Sequence, residues 1–322
     1  MQSSANALPR SADGSALKGP KCAPPGDASR NVWPAPFRRV EIPSSIDGIL
    51  QPAYFLTAPT AKKLPLVVSL HAWSVTYEFE DPVASHVLRA GWNYIRPDFR
   101  GPNRTPDACL SQKALADIDD AIAYAKASAP VDDRFVFVTG VSGGGYATLG
   151  AYMRSHHNIR LCLAWVPISD LAAWYEESAA RKSKYAQEIL DVTGSKEKLD
   201  EEEARRRSPL FMGGPVLPRP RLEMYAGIHD GHTGSVPVSQ SLRFFNRLAG
   251  QYGRADAQVS EAEIANLLNE RGDPDATGAL DGRAVVFHRE IPQVAVTLFE
   301  GGHEILAGHC FQRMRETWNC ID

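Results

Sequence analysis

One pentapeptide in this sequence has the residue types and spacing of an activated alcohol. Gly140-Val141-Ser142-Gly143-Gly144 reads G-x-S-x-G and follows the apolar, strand-length run Phe135-Val136-Phe137-Val138-Thr139. The residues after it, 143–156, have the composition of a helix. A turn this sharp between strand and helix leaves no room for side chains at the flanking positions, and it lifts the serine hydroxyl out of the sheet edge. It also aims the N–H of Gly143 and the helix N-terminus at the space where an oxyanion would form.

A serine hydroxyl is a weak nucleophile without a neighbouring base. Of the nine histidines, His303 is the best placed, in Phe299-Glu300-Gly301-Gly302-His303 just past the last apolar run. A loop there lies at the carboxyl edge of a sheet, where ligands bind in open α/β folds. His309 competes, but it falls in a helical segment. His156 and His157 sit at a helix end and read as surface residues, and His71 reads as a loop-shaping residue. The acid that holds the imidazole tautomer is expected at Asp230, in Gly227-Ile228-His229-Asp230-Gly231-His232, with Asp170 as runner-up. The pattern His229-Asp230-x-His232 could suggest a metal, but no carboxylate-plus-histidine spacing elsewhere completes it. No metal and no cofactor are therefore expected. The second oxyanion donor is expected on His71-Ala72-Trp73-Ser74, from the backbone N–H of Trp73 with Ser74 next; small Ala72 permits close approach. Asp98-x-Arg100-Gly101 reads as a structural ion pair and turn beside the site.

These groups need a frame. Two short strands are expected within 38–57 around Ser45-Ile46-Asp47-Gly48, and further strands over 64–70, 92–97, 135–139, 160–167, 221–227 and 294–299. Helical spacing places Leu115, Ile118, Ala121, Ile122 and Ala125 on one face of a helix over 111–127, and another helix is expected over 236–250. Fully apolar strands alternating with helices imply a mostly parallel sheet covered on both faces. Two polar blocks interrupt the alternation. Residues 169–208 read as an inserted helical cap. Residues 258–290 read as a second insertion, with a helix near 260–270 and a short strand near 284–289. Residues 1–36 begin as a Ser/Ala/Gly/Pro-rich stretch and read as a flexible arm; residues 37–322 read as one catalytic domain.

The 322 residues are 43% hydrophobic and 23% charged, with a formal net charge of −3. Such a chain can bury a large core. Its charge balance argues against a nucleic-acid binder. No apolar run approaches the roughly 18 residues of a membrane span. The start, Met1-Gln2-Ser3-Ser4-Ala5, looks like a mature exported chain behind an added methionine, so a secreted or periplasmic location is expected. Of the five cysteines, Cys162 lies in an apolar run and reads as a buried thiol. The pairs Cys310–Cys320 and Cys22–Cys109 are the favoured disulfides, against the alternative of free thiols in a cytosolic protein.

At these residues the chain resembles the α/β-hydrolases, in the branch of prolyl-oligopeptidase-like and acetyl-xylan-esterase-like enzymes. The resemblance rests on Asp98-Phe99-Arg100-Gly101, the elbow at 140–144, Asp230 followed by Val236-Pro237 and a helix, Arg207-Ser208-Pro209, and Glu300-Gly301-Gly302-His303. It covers about residues 38–320. The order Ser142, Asp230, His303 is the order this fold implies. Two departures stand out. His71-Ala72-Trp73 replaces the His-Gly-Gly of many relatives, and a short arm stands where prolyl oligopeptidases carry a propeller. The resemblance implies a serine hydrolase working through an acyl-enzyme. A carboxylic-ester hydrolase acting on small-molecule or oligosaccharide esters, acetylated or feruloylated, is the first expectation, with Trp73, Trp174 and Tyr175 either stacking on sugar or aromatic groups or packing in the core. A serine peptidase acting on short peptides is the alternative, and a non-catalytic binding protein on the same fold is a third reading that the intact residue set argues against. Oligomeric state is not legible in the sequence.

Overall fold

The apolar strand runs assemble into a ten-stranded sheet. In this computed structural model, which describes residues 33–213 and 220–320, the strands are β1 (Arg38–Pro43), β2 (Leu50–Leu56), β3 (Leu64–Leu70), β4 (Asn93–Pro97), β5 (Val131–Val141), β6 (Leu161–Trp165), β7 (Arg221–Gly227), β8 (Ala279–Leu280), β9 (Arg283–Ile291) and β10 (Val294–Phe299). Their spatial order is β1-β2-β4-β3-β5-β6-β7-β10-β9-β8. The six central strands, β4 to β10 in that order, run parallel, and antiparallel pairs flank them on both sides. Connecting and capping them are α1 (Pro82–Ala90), α2 (Gln112–Ser128), α3 (Gly143–Arg154), α4 (Leu171–Ala180), α5 (Lys184–Val192), α6 (Glu201–Arg207), α7 (Ser239–Gln251), α8 (Glu261–Leu268) and α9 (Ala307–Asn319).

Period-two alternation in the strands sends alternate side chains to two cores. Leu66, Val68, Val136, Val138, Cys162 and Ala164 face one layer, which buries the apolar stripes of α2, α3 and α7. Val67, Phe135, Phe137, Leu161, Leu163 and Trp165 face the other, against α1 and α9. Both faces are therefore covered, as continuous apolar strands require. This is the α/β-hydrolase architecture.

Several expectations are corrected. The end of the expected arm belongs to the fold: Trp33 stacks on Tyr54 at 4.7 Å and donates its indole N–H to the Glu78 carbonyl at 3.0 Å. Helix α1 was not foreseen, although its signals were present: Asp81 caps it through Val83 N–H, Pro82 opens it, and Gly91 closes it in the left-handed region. The strand near 284–289 is the nine-residue β9, a full member of the sheet that pairs antiparallel with β10. Arg100 donates to Asp117 (2.6 Å) and Asp47 (2.9 Å), so the ion pair of that turn does not use Asp98.

The expected Cys310–Cys320 pair does not form. Cys310 is buried inside α9 and Cys320 is exposed at its end. Ten residues of helix rise about 15 Å, whereas a disulfide needs Cα atoms about 4.4–6.8 Å apart. Cys109 is a buried free thiol whose Sγ lies 3.2 Å from the Tyr146 hydroxyl; Cys22 lies outside the described residues. Among the described residues no helix is long and apolar enough to cross a membrane.

Candidate active site

Ser142 occupies the turn between β5 and α3 with φ 59° and ψ −118°. A non-glycine residue in this region costs about 1–3 kcal/mol and persists only where its surroundings over-determine it. They do so here. The Ser142 N–H donates to the Trp165 carbonyl (2.9 Å), its carbonyl accepts from Tyr146 N–H (2.8 Å), and neighbouring backbone fills the space at the flanking glycines. A Cβ on Gly144 would lie 2.1 Å from the Leu70 carbonyl oxygen, and one on Gly140 would lie 2.5 Å from the Gly144 backbone. Only hydrogen fits at either position.

Asp230 and His303 follow β7 and β10, adjacent strands whose ends are laced together. Ile228 N–H donates to the Phe299 carbonyl and His229 N–H to the Gly301 carbonyl, at 2.9 and 3.0 Å. That lacing sets the His303 Nδ1–H to donate to Asp230 Oδ2 at 2.7 Å. The other carboxylate oxygen accepts from the N–H groups of Gly231 (2.9 Å) and Val236 (3.1 Å). The Asp230 side chain is fully buried while that of His303 is 25% exposed. The carboxylate is thus committed to Nδ1, and Nε2 is the ring nitrogen left without a protein partner among the described residues. Among the described residues no hydrogen bond joins the Ser142 hydroxyl to His303. The fold brings the acid and the base into contact and sets the serine on the same sheet edge, after β5.

Trp73 reaches the elbow from the loop after β3. A Cβ on Gly143 would lie 2.3 Å from the Trp73 nitrogen and 2.4 Å from its Cα, so the two backbones touch. Neither Trp73 N–H nor Gly143 N–H donates a hydrogen bond among the described residues. Two free donors beside a serine hydroxyl are what an oxyanion hole requires. Trp73 itself is held on several sides: its carbonyl accepts from Asn103 N–H (2.8 Å), its indole N–H donates to Glu188 Oε2 (2.8 Å), and its ring packs edge-on against Trp174 at 4.8 Å.

The other sequence candidates fall into structural places. Asp170 caps α4 through Ala172 and Ala173 N–H. His309 lies on α9, with Nε2 3.4 Å from the Tyr225 hydroxyl. His156 is exposed and bound to Asp119. His71 is buried, which pushes its pKa down to about 4; the ring stacks on Phe99 at 4.0 Å, and its shorter contact, Nε2 to the Asp98 carbonyl at 2.7 Å, takes the single N–H of the neutral ring. His229 bridges Glu300 (2.5 Å) and Glu270 (2.8 Å), and these carboxylates, Glu300 first, raise its pKa. His232 meets the Leu268 carbonyl. Trp174 is wholly enclosed, with its indole N–H donating to the Ser235 carbonyl at 2.8 Å, so its ring offers no platform for a sugar. Tyr175 lines a hollow of about 400 Å³ between α4 and residues 197–201, with Ala172 and Leu199.

Sequence reasoning missed the cap residues that touch the loops carrying Asp230 and Trp73. Arg181 donates to the carbonyls of Gly231 (2.8 Å) and Ser235 (3.1 Å), and Lys184 donates to the Ser74 hydroxyl (2.9 Å). Lone charges in a polar helical block carry no signal of such partners.

A parallel sheet with a strained serine elbow and an acid–histidine pair on its carboxyl edge defines an α/β-hydrolase. The model of the prolyl oligopeptidase family matches residues 84–264, more than half of the chain. The chain belongs to that family. Among solved structures it is similar to an acylaminoacyl peptidase in complex with Z-Gly-Gly-Phe-chloromethyl ketone (18% identity, TM-score 0.58, 87% of this chain and 40% of that one). It is also similar to a Mycobacterium tuberculosis puromycin-hydrolyzing peptidase (18%, 0.57, 87% and 38%) and to prolyl oligopeptidase B from Galerina marginata (14%, 0.56, 73% and 35%). The chain thus spans about two fifths of the length of the first of these. No curated protein sequence matches it.

Proposed function

We propose that the chain is a serine peptidase that cleaves short peptides through an acyl-enzyme on Ser142. The observation that carries this reading is the 2.7 Å bond from His303 Nδ1 to the buried Asp230, on the sheet edge where the strained Ser142 stands. Family membership favours the peptide bond over the ester expected first from the sequence. The Ser142 oxygen attacks the carbonyl carbon while its proton passes to His303 Nε2. Asp230 steadies the resulting imidazolium, and the N–H groups of Gly143 and Trp73 receive the oxyanion. The imidazolium then gives its proton to the leaving amine as the C–N bond breaks. Water, deprotonated by the same imidazole, hydrolyses the acyl-serine.

The test is a panel of aminoacyl- and peptidyl-p-nitroanilides and unlabelled short peptides beside p-nitrophenyl acetate and butyrate, with Ser142→Ala alongside. Anilide and peptide cleavage that vanishes in the variant, together with its fluorophosphonate labelling, is the expected result. Turnover of the esters alone would return the chain to the carboxylesterase reading. Full activity in Ser142→Ala would end both.

A further inference from the structure

The cap helix α5 touches the catalytic loops at one charged pair. Glu188 and Lys184 stand one turn apart on α5 and are joined to each other at 3.3 Å. Glu188 Oε2 accepts the Trp73 indole N–H at 2.8 Å, and Lys184 Nζ donates to the Ser74 hydroxyl at 2.9 Å. Consecutive residues of the oxyanion loop are thus held by a single ion pair from a segment 115 positions away in sequence. The Glu188 side chain is only 13% exposed. A carboxylate accepting a hydrogen bond in such surroundings makes a stronger tie than a neutral acceptor.

This tie matters because of what else fixes Trp73. Its carbonyl is pinned by Asn103, and its ring is wedged between Trp174 and Tyr146, with centroids 4.8 and 5.9 Å away. Those contacts stop translation of the residue. The indole bond to Glu188 then fixes rotation of the ring in its slot, and with it the direction of the backbone N–H beside Gly143. An oxyanion donor works only within about 2.7–3.1 Å of the developing charge, so small rotations count.

We propose that Glu188 is a positioning residue for the oxyanion hole, acting through the Trp73 indole. The inference rests on the proposed role of the Trp73 N–H in acyl transfer. Complete loss of one oxyanion donor lowers kcat by about 10²–10³, and misdirection of a donor that remains present lowers it less.

The experiment compares Glu188→Ala, Glu188→Gln, Trp73→Phe and the double variant Trp73→Phe/Glu188→Ala in the full chain, with Ser142→Ala measured in parallel. The substrate is whichever p-nitroanilide or p-nitrophenyl ester the unmodified protein turns over fastest. Glu188→Ala and Trp73→Phe each lower kcat by about 10–100-fold with KM within about threefold, and the double variant loses no more than either single one. Glu188→Gln, which keeps an acceptor for the indole N–H, restores most of the rate. Affinity for a trifluoromethyl ketone, which places an oxyanion in the hole, falls in step with kcat while the melting temperature stays within a few degrees. Full activity in Glu188→Ala, equal losses in Glu188→Gln and Glu188→Ala, or additive losses in the double variant would each overturn the proposal. Should Glu188→Ala fail to fold, Trp73→Phe against Glu188→Gln decides the matter. An active Ser142→Ala would refute the parent reading instead, whatever the Glu188 variants do.

Discussion

Gly143→Ala is the sharpest probe of the elbow. The added methyl would lie 2.3 Å from the Trp73 nitrogen, about 1 Å short of the 3.4 Å at which ordinary contact begins. The neighbour is backbone and cannot swing aside as a side-chain tip would. Either the loop after β3 or the first turn of α3 must retreat by about that distance. Overpacking of this kind costs about 1–3 kcal/mol, a fraction of the roughly 5–15 kcal/mol by which domains are stable, so the variant folds. Function suffers more. A 1 Å displacement takes Trp73 N–H or Gly143 N–H out of reach of the oxyanion, and losing one donor costs about 10²–10³ in kcat, or about 3–4 kcal/mol. The assay is kcat/KM on the best chromogenic substrate, with circular dichroism and thermal melting to confirm the fold. A folded Gly143→Ala protein with kcat/KM within fivefold of the parent would refute the assignment of this backbone pair as the oxyanion hole.

Other expectations concern titration and thiols. Burial pushes Glu177 up to about 7, so between its ordinary 4.5 and 7 the folded chain holds a proton that the unfolded chain has released. Stability therefore falls as pH rises through that window, and Glu177→Gln should flatten the loss by about 1–3 kcal/mol, read from denaturation midpoints at pH 5 and pH 8. Glu223 behaves oppositely. Burial works to raise it, but the hydrogen bond and charge of Arg313, with Arg221 and Tyr225, outweigh this and hold it at about 2. Its contribution of up to about 3 kcal/mol is complete above 4.5 and is lost as pH falls toward 2, so the Glu223→Gln protein should show a shallower acid limb in the same measurement. Burial also pushes the thiols of Cys109 and Cys310 up to about 12 and that of Cys162 higher still, while Cys320 is exposed. Iodoacetamide at pH 8 without reductant should alkylate Cys320 in the native protein and spare these three until it is denatured; an unreactive Cys320 released only by reductant would contradict its standing as an exposed free thiol.

The elbow was legible in the sequence because its glycines answer to local geometry: at Gly140 and Gly144 an added Cβ would lie only 2.5 and 2.1 Å from neighbouring backbone, and the G-x-S-x-G spacing signals that crowding. Asp230 and His303 were legible for a related reason, since each follows an apolar run whose end must reach the same edge. Local signals were also overlooked. The caps of α1, Asp81-Pro82 and Gly91, stood in plain view, but the helix is only nine residues long and its apolar stripe is narrow. The alternative left open at Trp174 and the misreadings at Cys310 and Arg100 have a different origin. Whether an indole stacks on a ligand or fills a cap, whether two cysteines meet, and which carboxylate an arginine finds are decided by long-range packing, which residue type and spacing do not encode.

That same packing explains why the polar block 171–207 is more than a cover. Its first helix and the residue that ends it grip the loop that carries Asp230, through the Trp174 indole and Arg181, which share the Ser235 carbonyl. Its second helix grips the oxyanion loop through Glu188 and Lys184. Between the two grips Trp73 and Trp174 touch edge to face. A strained residue such as Ser142 keeps its conformation only while the surrounding structure leaves it no alternative, and the cap adds to the ties that the strand ends already give the loops facing it. The geometry of the proposed site is therefore shared between two parts of the chain: the sheet sets where Ser142, Asp230 and His303 stand, and the cap sets how the loops beside them are turned. A substitution in the cap that touches no substrate can thus reach the reaction through either loop.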